Sequence, residues 1–235
     1  MTEELNPSAP TLPKSRNLII TLAGIAMISG LLVVLTFQLT LPRITQNRQD
    51  ALERAVFTVL PFAETRTNYL LTEAGLEELP DADFAKANVF AGYDQTGTLT
   101  GLAMEASARG YQDVVKILYG YAPDTECVVG ITVLESRETP GLGDKVDSDP
   151  DFLDNFACLD AKLTPDGSTV INAIETVKHG KKTNEWQIDA ISGATITSTA
   201  VGNALSESTQ TMLPLLAKHR NSLKTHKESE LSSKE

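Results

Sequence analysis

Small and hydroxyl residues crowd one stretch of this 235-residue chain, Asp189 to Val201, which reads D-A-I-S-G-A-T-I-T-S-T-A-V. Gly193 admits backbone angles that other residues avoid, and Ala194 leaves space beside it. Thr197, Ser198 and Thr199 can each cap a helix whose apolar stripe is Val201, Leu205 and Met212. Backbone N–H groups and the positive end of that helix favour a phosphate. The same composition serves as an ordinary cap and turn, so residue types alone leave an anion site and a plain turn both open. A serine nucleophile is excluded. Ser192 lacks the G-x-S-x-G elbow, His219 and His226 fall in a polar tail, and His179 has no helix-spaced partner.

A second stretch, Glu138-Thr139-Pro140-Gly141-Leu142-Gly143-Asp144-Lys145, is a glycine loop whose backbone can approach a flat ligand closely, or a bulged strand-to-helix turn. Behind it Asp147, Asp149 and Asp151 imitate the start of a calcium loop. Phe152 stands where that loop needs glycine and Cys158 where it needs glutamate, so they read as a solvated helix start. Cys127 and Cys158 are too far apart for a local metal knuckle and too few for a disulfide scaffold. They are small buried apolar residues or a single disulfide. Twenty basic residues against thirty-one acidic ones give a formal charge of −11, which repels a phosphate backbone and excludes nucleic acid as a partner.

The elements that must position these segments begin with an anchor. No charged residue lies between Arg16 and Arg43, and Leu18–Leu35 is nearly all apolar, long enough to span a bilayer. Bulky Phe37, Leu39 and Leu41 continue the run where a cleaved signal peptide would show small residues. Lys14 and Arg16 precede the span while Arg43, Arg48 and Arg54 follow it, so flanking charge sets no orientation. Leu52, Val56 and Leu60 form a helical stripe of a stalk, and Thr72–Leu79 reads as a short capped helical turn. Val89–Tyr93 and Leu99–Met104 flank a turn at Gln95-Thr96-Gly97 and predict a hairpin. Val114–Tyr119, Cys127–Leu134, Val170–Val177 and Trp186–Ile191 are further strands, with Cys127–Leu134 suited to a buried central position. Phe152, Leu153 and Phe156 share a helical face. Pro214 ends or kinks the last helix, and a polar tail follows.

Asp189–Thr195 resembles the D-x-x-[ST]-G-A-T flavinylation motif of FMN-binding domains. Glu138–Lys145, about 50 residues earlier, matches their E-T-P-G-L-G signature. With the anchor, the chain most resembles G subunits of Rnf (Rsx) ion-translocating electron-transport complexes, siblings of the C subunits of sodium-pumping NADH:quinone reductases. The resemblance implies an α+β fold, a mixed or antiparallel sheet with flanking helices behind one N-terminal transmembrane helix. It divides the chain into a cytoplasmic tail (1–16), a span (17–41), a stalk and connector (42–84), an FMN-binding domain (85–213) and a polar tail (214–235). It further implies covalent FMN on Thr195 through a phosphoester, with Ser192, Gly193, Ala194, Glu138, Thr139, Gly141, Leu142, Gly143 and Lys145 as cofactor-binding residues. An Mg-dependent flavin transferase using FAD would make the bond, with Asp189 read by it or shaping the turn.

In that family the domain faces away from the cytoplasm, and the other membrane, iron–sulfur and flavin subunits are its partners. The function expected is electron carriage as a redox subunit with no independent catalysis and no metal. The alternatives are a quinone-reductase C subunit, a cofactor-free membrane-tethered assembly module and a non-redox FMN sensor. The family's G-Y-x-G pattern is incomplete here, because Gly110-Tyr111 is followed by Gln112-Asp113.

Overall fold

The structure, a computed structural model, describes residues 15–223 and divides into two compact units near Arg48. Residues 1–14 and 224–235 of the expected tails, with Lys14 and His226, lie outside the described residues. Helix α1, Ser15–Val59, makes up the described part of the first unit and ends in the second, and it is long and apolar enough to cross a bilayer. Its hydroxyls turn inward on their own helix, Thr21 Oγ1 donating to Asn17 O at 2.8 Å and Thr40 Oγ1 to Thr36 O at 2.9 Å. A segment in hydrocarbon needs such internal satisfaction. The helix continues through Pro42, so the expected span and stalk form one element.

The second unit holds a seven-stranded antiparallel sheet built from β1 (Thr65–Thr72), β2 (Gly75–Leu79), β3 (Val89–Tyr93), β4 (Leu99–Arg109), β5 (Val114–Ala122), β6 (Cys127–Glu135) and β7 (Leu159–Asp160), in the order β2-β1-β3-β4-β5-β6-β7. A single helical turn, α2 (Pro150–Leu153), lies between β6 and β7 in the chain. Two short strands, β8 (Glu175–Val177) and β9 (Gln187–Asp189), pair in parallel beside the main sheet. Helix α3, Thr195–Leu223, packs on one face of that sheet, where Val89, Ala91, Met104, Ile117 and Tyr119 are buried with Val201, Leu205 and Leu213. The other face carries the last turn of α1, with Val56, Val59 and Leu60 against Phe90, Ala103 and Leu118. Both faces are covered, which is why every residue of β3 is buried.

Glycines seat the end of α1. Gly92 pairs with Gly101 and Gly120 with Gly130 in adjacent strands. A Cβ at Gly101 would come within 2.6 Å of Leu60 Cδ2, and one at Gly120 within 2.4 Å of Val59 O. The missing side chains let the helix terminus lie directly on the strands.

Four expectations change. Thr72–Leu79 is a turn and a strand rather than helix, because Leu71 faces Leu76 across the β1–β2 hairpin and both pack on the core. Cys127–Leu134 is not central, since β6 is flanked on its outer side by the two residues of β7 alone. Val170–Val177 is a strand only from Glu175, Val170 making an isolated bridge to Leu163. Helix α3 does not stop at Pro214 but runs to Leu223, held by buried Leu216 and Leu223. Cys127 and Cys158 form a disulfide with Cα atoms 5.1 Å apart across 31 residues. Closing a loop of that size contributes about 3–4 kcal/mol on the chain-entropy model.

Candidate functional site

The two motifs meet at the start of α3. A Cβ added at Gly193, where φ is +84°, would lie 4.0 Å from Leu142 Cδ2. Between them is a cleft of about 310 Å³ lined by Tyr111, Glu138, Thr139, Leu142, Gly143, Gly193, Ala194, Thr195, Ile196 and Thr197. Gly141 supplies the positive φ of +78° that turns the first loop, and Leu142 N–H closes the turn on Thr139 O at 3.1 Å.

Thr195 is the first residue of α3 and is exposed. Its hydroxyl makes one long contact, 3.5 Å to Ile191 O, at the outer limit for a hydrogen bond. The first i→i−4 bond of the helix runs from Ser198 N–H to Ala194 O at 2.9 Å. The N–H groups of Thr195, Ile196 and Thr197 therefore precede it and lie at the positive end of the helix. Ser198, fully buried, staples the loop from inside, accepting from Ile191 N–H at 3.1 Å and donating to Ala194 O at 3.0 Å.

Glu138 is only 7% exposed, and its carboxylate bonds to scaffold. One oxygen accepts from Thr197 Oγ1 at 2.7 Å and the other from Gln112 N–H at 3.0 Å. Glycines flank it. A Cβ at Gly110 would sit 2.6 Å from Oε1, and one at Gly143 2.6 Å from Oε2 and 2.7 Å from Thr197 Oγ1. This one carboxylate thus ties the Gly110–Asp113 turn, the glycine loop and the first turn of α3 together.

Not every expected residue lines the cleft. Ser192 and Lys145 line a neighbouring recess of about 170 Å³ with Asp149, Asp151, His179 and Asp189, and Gly141 lines neither. Two of the three aspartates bond to backbone N–H groups. Asp149 caps α2 by accepting from Phe152 N–H at 3.1 Å, while Asp147 accepts from Val133 N–H at 3.1 Å. Asp189 Oδ2 accepts from Gly180 N–H at 3.0 Å and lies 3.6 Å from His179 Nδ1. Its buried Oδ1 has no hydrogen-bond donor among the described residues. The structure also adds Tyr111, Ile196 and Thr197 to the cleft wall, with Gly110 and Gln112 behind Glu138. Gly110-Tyr111 was the one legible sign of that turn.

Residues 110–210 match the model of the FMN-binding domain, which defines the class: a flavin-binding α+β domain behind an apolar helix. Residues 19–59 match the RnfG N-terminal region. The chain is 34% identical over 198 residues to the G subunit of the ion-translocating oxidoreductase complex of Aliivibrio fischeri, covering 83% of this chain and 88% of that protein. The corresponding G subunit of Methanosarcina acetivorans is 28% identical over 190 residues, covering 80% and 88%. Among solved structures, NqrC of Shewanella oneidensis superposes with a TM-score of 0.59 at 21% identity, covering 77% of this chain and 99% of that one. The C subunit of the Na(+)-translocating NADH-quinone reductase of Parabacteroides distasonis does so with 0.56 at 20%, covering 75% and 95%. The chain belongs to the family of G subunits of ion-translocating oxidoreductase complexes.

Proposed function

We propose that this chain is the membrane-anchored electron carrier of an Rnf-type ion-translocating oxidoreductase complex, holding FMN through a phosphoester on Thr195. The observation that carries this reading is the placement of Thr195, an exposed and barely engaged hydroxyl at a helix N-terminus in the cleft that both motifs build. Family membership supports the assignment to the complex.

The residues present fit FMN. The cleft is at the lower end of the volume of small-molecule sites, roughly 300–1,000 Å³. Exposed apolar side chains at its rim, Tyr111, Leu142 and Ile196, suit a flat ring, and the helix start suits the phosphate. FMN, when bound, supplies the storage and release of electrons. The chain's own residues would hold it: Leu142 and Tyr111 would shield the ring from water, with Thr139 in the same wall, and the N–H groups at the start of α3 would meet the negative charge of the phosphate.

Attachment needs no oxidant. Thr195 Oγ would bond to the flavin-side phosphorus of FAD, the phosphoanhydride would break, AMP would leave, and the hydroxyl proton would pass to a base of the transferase. Among the described residues, the Thr195 hydroxyl meets only Ile191 O, and the nearby Glu138 carboxylate is committed to Thr197 and Gln112. We further propose that the domain faces away from the cytoplasm, which the Cys127–Cys158 disulfide supports because such bonds persist in oxidising compartments.

Denaturing electrophoresis of protein from a host expressing the transferase tests the linkage. Flavin fluorescence that stays with the polypeptide and is lost in Thr195→Ala is expected. Fluorescence that runs at the dye front in the wild type would overturn it.

A further inference from the structure

We propose that Asn155 is a positioning residue for flavin attachment, its carboxamide fixing the backbone of Asp189 and so the loop that presents Thr195. The proposal rests on the reading of Thr195 as the flavin acceptor. Asn155 belongs to neither motif. It sits in the 3-10 turn Asp154–Phe156, 34 residues before Asp189, and is 5% exposed.

The carboxamide pairs with Asp189 in both directions. Oδ1 accepts from Asp189 N–H at 2.9 Å, and Nδ2 donates to Asp189 O at 3.3 Å. Strand β9 pairs with β8 on one side only, so the Asn155 side chain does for the last residue of β9 what a third strand would do. The remaining capacity of the amide is used as well. Nδ2 also donates to Phe152 O at 2.9 Å, and Oδ1 accepts from Lys182 Nζ at 3.0 Å.

The platform beneath Asn155 is packed and cross-linked. Phe152 and Phe156, buried on the same turn, pack edge to face with ring centroids 5.4 Å apart, and Cys158 is bonded to Cys127 at the start of β6. From Asp189 the chain reaches Thr195 in six residues. Ala190 N–H is held by Val177 O at 3.0 Å, and Ser198 staples Ile191 and Ala194. Asn155 closes the entrance of this loop and Ser198 its exit, leaving Ser192 and Gly193 as the exposed part a transferase can meet.

The chemistry selects asparagine. A carboxylate at 155 would set a second acceptor against the carbonyls of Asp189 and Phe152, and an apolar side chain would leave the part-buried Asp189 N–H without its partner. In either case the loop loses its fixed start and Thr195 samples orientations in which Oγ cannot reach the phosphorus. The cost falls on the rate of attachment.

The test uses the full-length chain in detergent with purified transferase, Mg²⁺ and FAD, following attachment by intact mass. Asn155→Asp is expected to lower kcat/KM for the acceptor chain on the order of tenfold through kcat, with the variant still folded at the assay temperature. Hydrogen exchange gives a second readout, with acceleration in Asn155→Asp confined to residues 187–195. Wild-type kinetics in the variant, or loosening spread over the whole sheet, would overturn the proposal. If the wild type itself takes no flavin, the reading of Thr195 fails, and the exchange pattern alone decides whether Asn155 holds the loop.

Discussion

Glu138 lines the cleft and shows how one side chain can organise its wall. Its two oxygens accept from Thr197 Oγ1 and Gln112 N–H inside a wall where Gly110 and Gly143 leave no room for a Cβ. Truncation to alanine strands both donors, which costs about 1–3 kcal/mol. Glu138→Ala is therefore expected to lower unfolding stability by about that amount in urea titration, while Glu138→Gln, which keeps one oxygen and can donate to the rotatable Thr197 hydroxyl, costs markedly less. Equal losses for the two variants would show that the hydrogen bonds are not what Glu138 contributes. The motif made Glu138 legible as a site residue. Its role was not, because Gln112 lies 26 residues away and Thr197 59, pairs that only the folded sheet brings together. The same holds for Asn155. Nothing in the Asp154–Phe156 segment marks it, since its partner is the backbone of a distant residue.

Elements with an unbroken pattern were the readable ones. The β3–β4 hairpin follows from the Gln95-Thr96-Gly97 turn, and the two faces of α3 follow from Val201 and Leu205. The β1–β2 hairpin was hidden because its outward residues, such as Glu77 and Glu78, mimic the polar side of a helix. The extension of α3 past Pro214 depends on burial of Leu216 and Leu223, a tertiary effect that outweighs the proline. The seat of α1 was equally invisible, because single glycines in four strands become a trough only when those strands align. Gly120→Ala puts a Cβ against the Val59 carbonyl and is expected to destabilise the second unit by about 1–3 kcal/mol as overpacking. Chemical denaturation of the full chain reads this directly. An unchanged midpoint would mean that the end of α1 shifts freely on the sheet.

At the scale of the molecule, an apolar helix, a disulfide-bearing domain and an acidic composition are combined in one chain. The charge of −11 disfavours nucleic acid as a partner. Flanking positives left orientation open, and the disulfide now argues for an oxidising side. Protease added to intact spheroplasts is expected to remove the domain beyond residue 45 while cytoplasmic markers survive. Protection of the domain in spheroplasts, with digestion only after lysis, would reverse the topology.

The measurement that reaches the account most directly is intact mass of the full-length protein purified from a host expressing the flavin transferase, followed by peptide mapping. The wild type should be heavier by one phosphoester-linked FMN located on the peptide containing Thr195, and Thr195→Ala should be unmodified. A wild type of unmodified mass, or a flavin that persists on Thr195→Ala, would contradict the assignment.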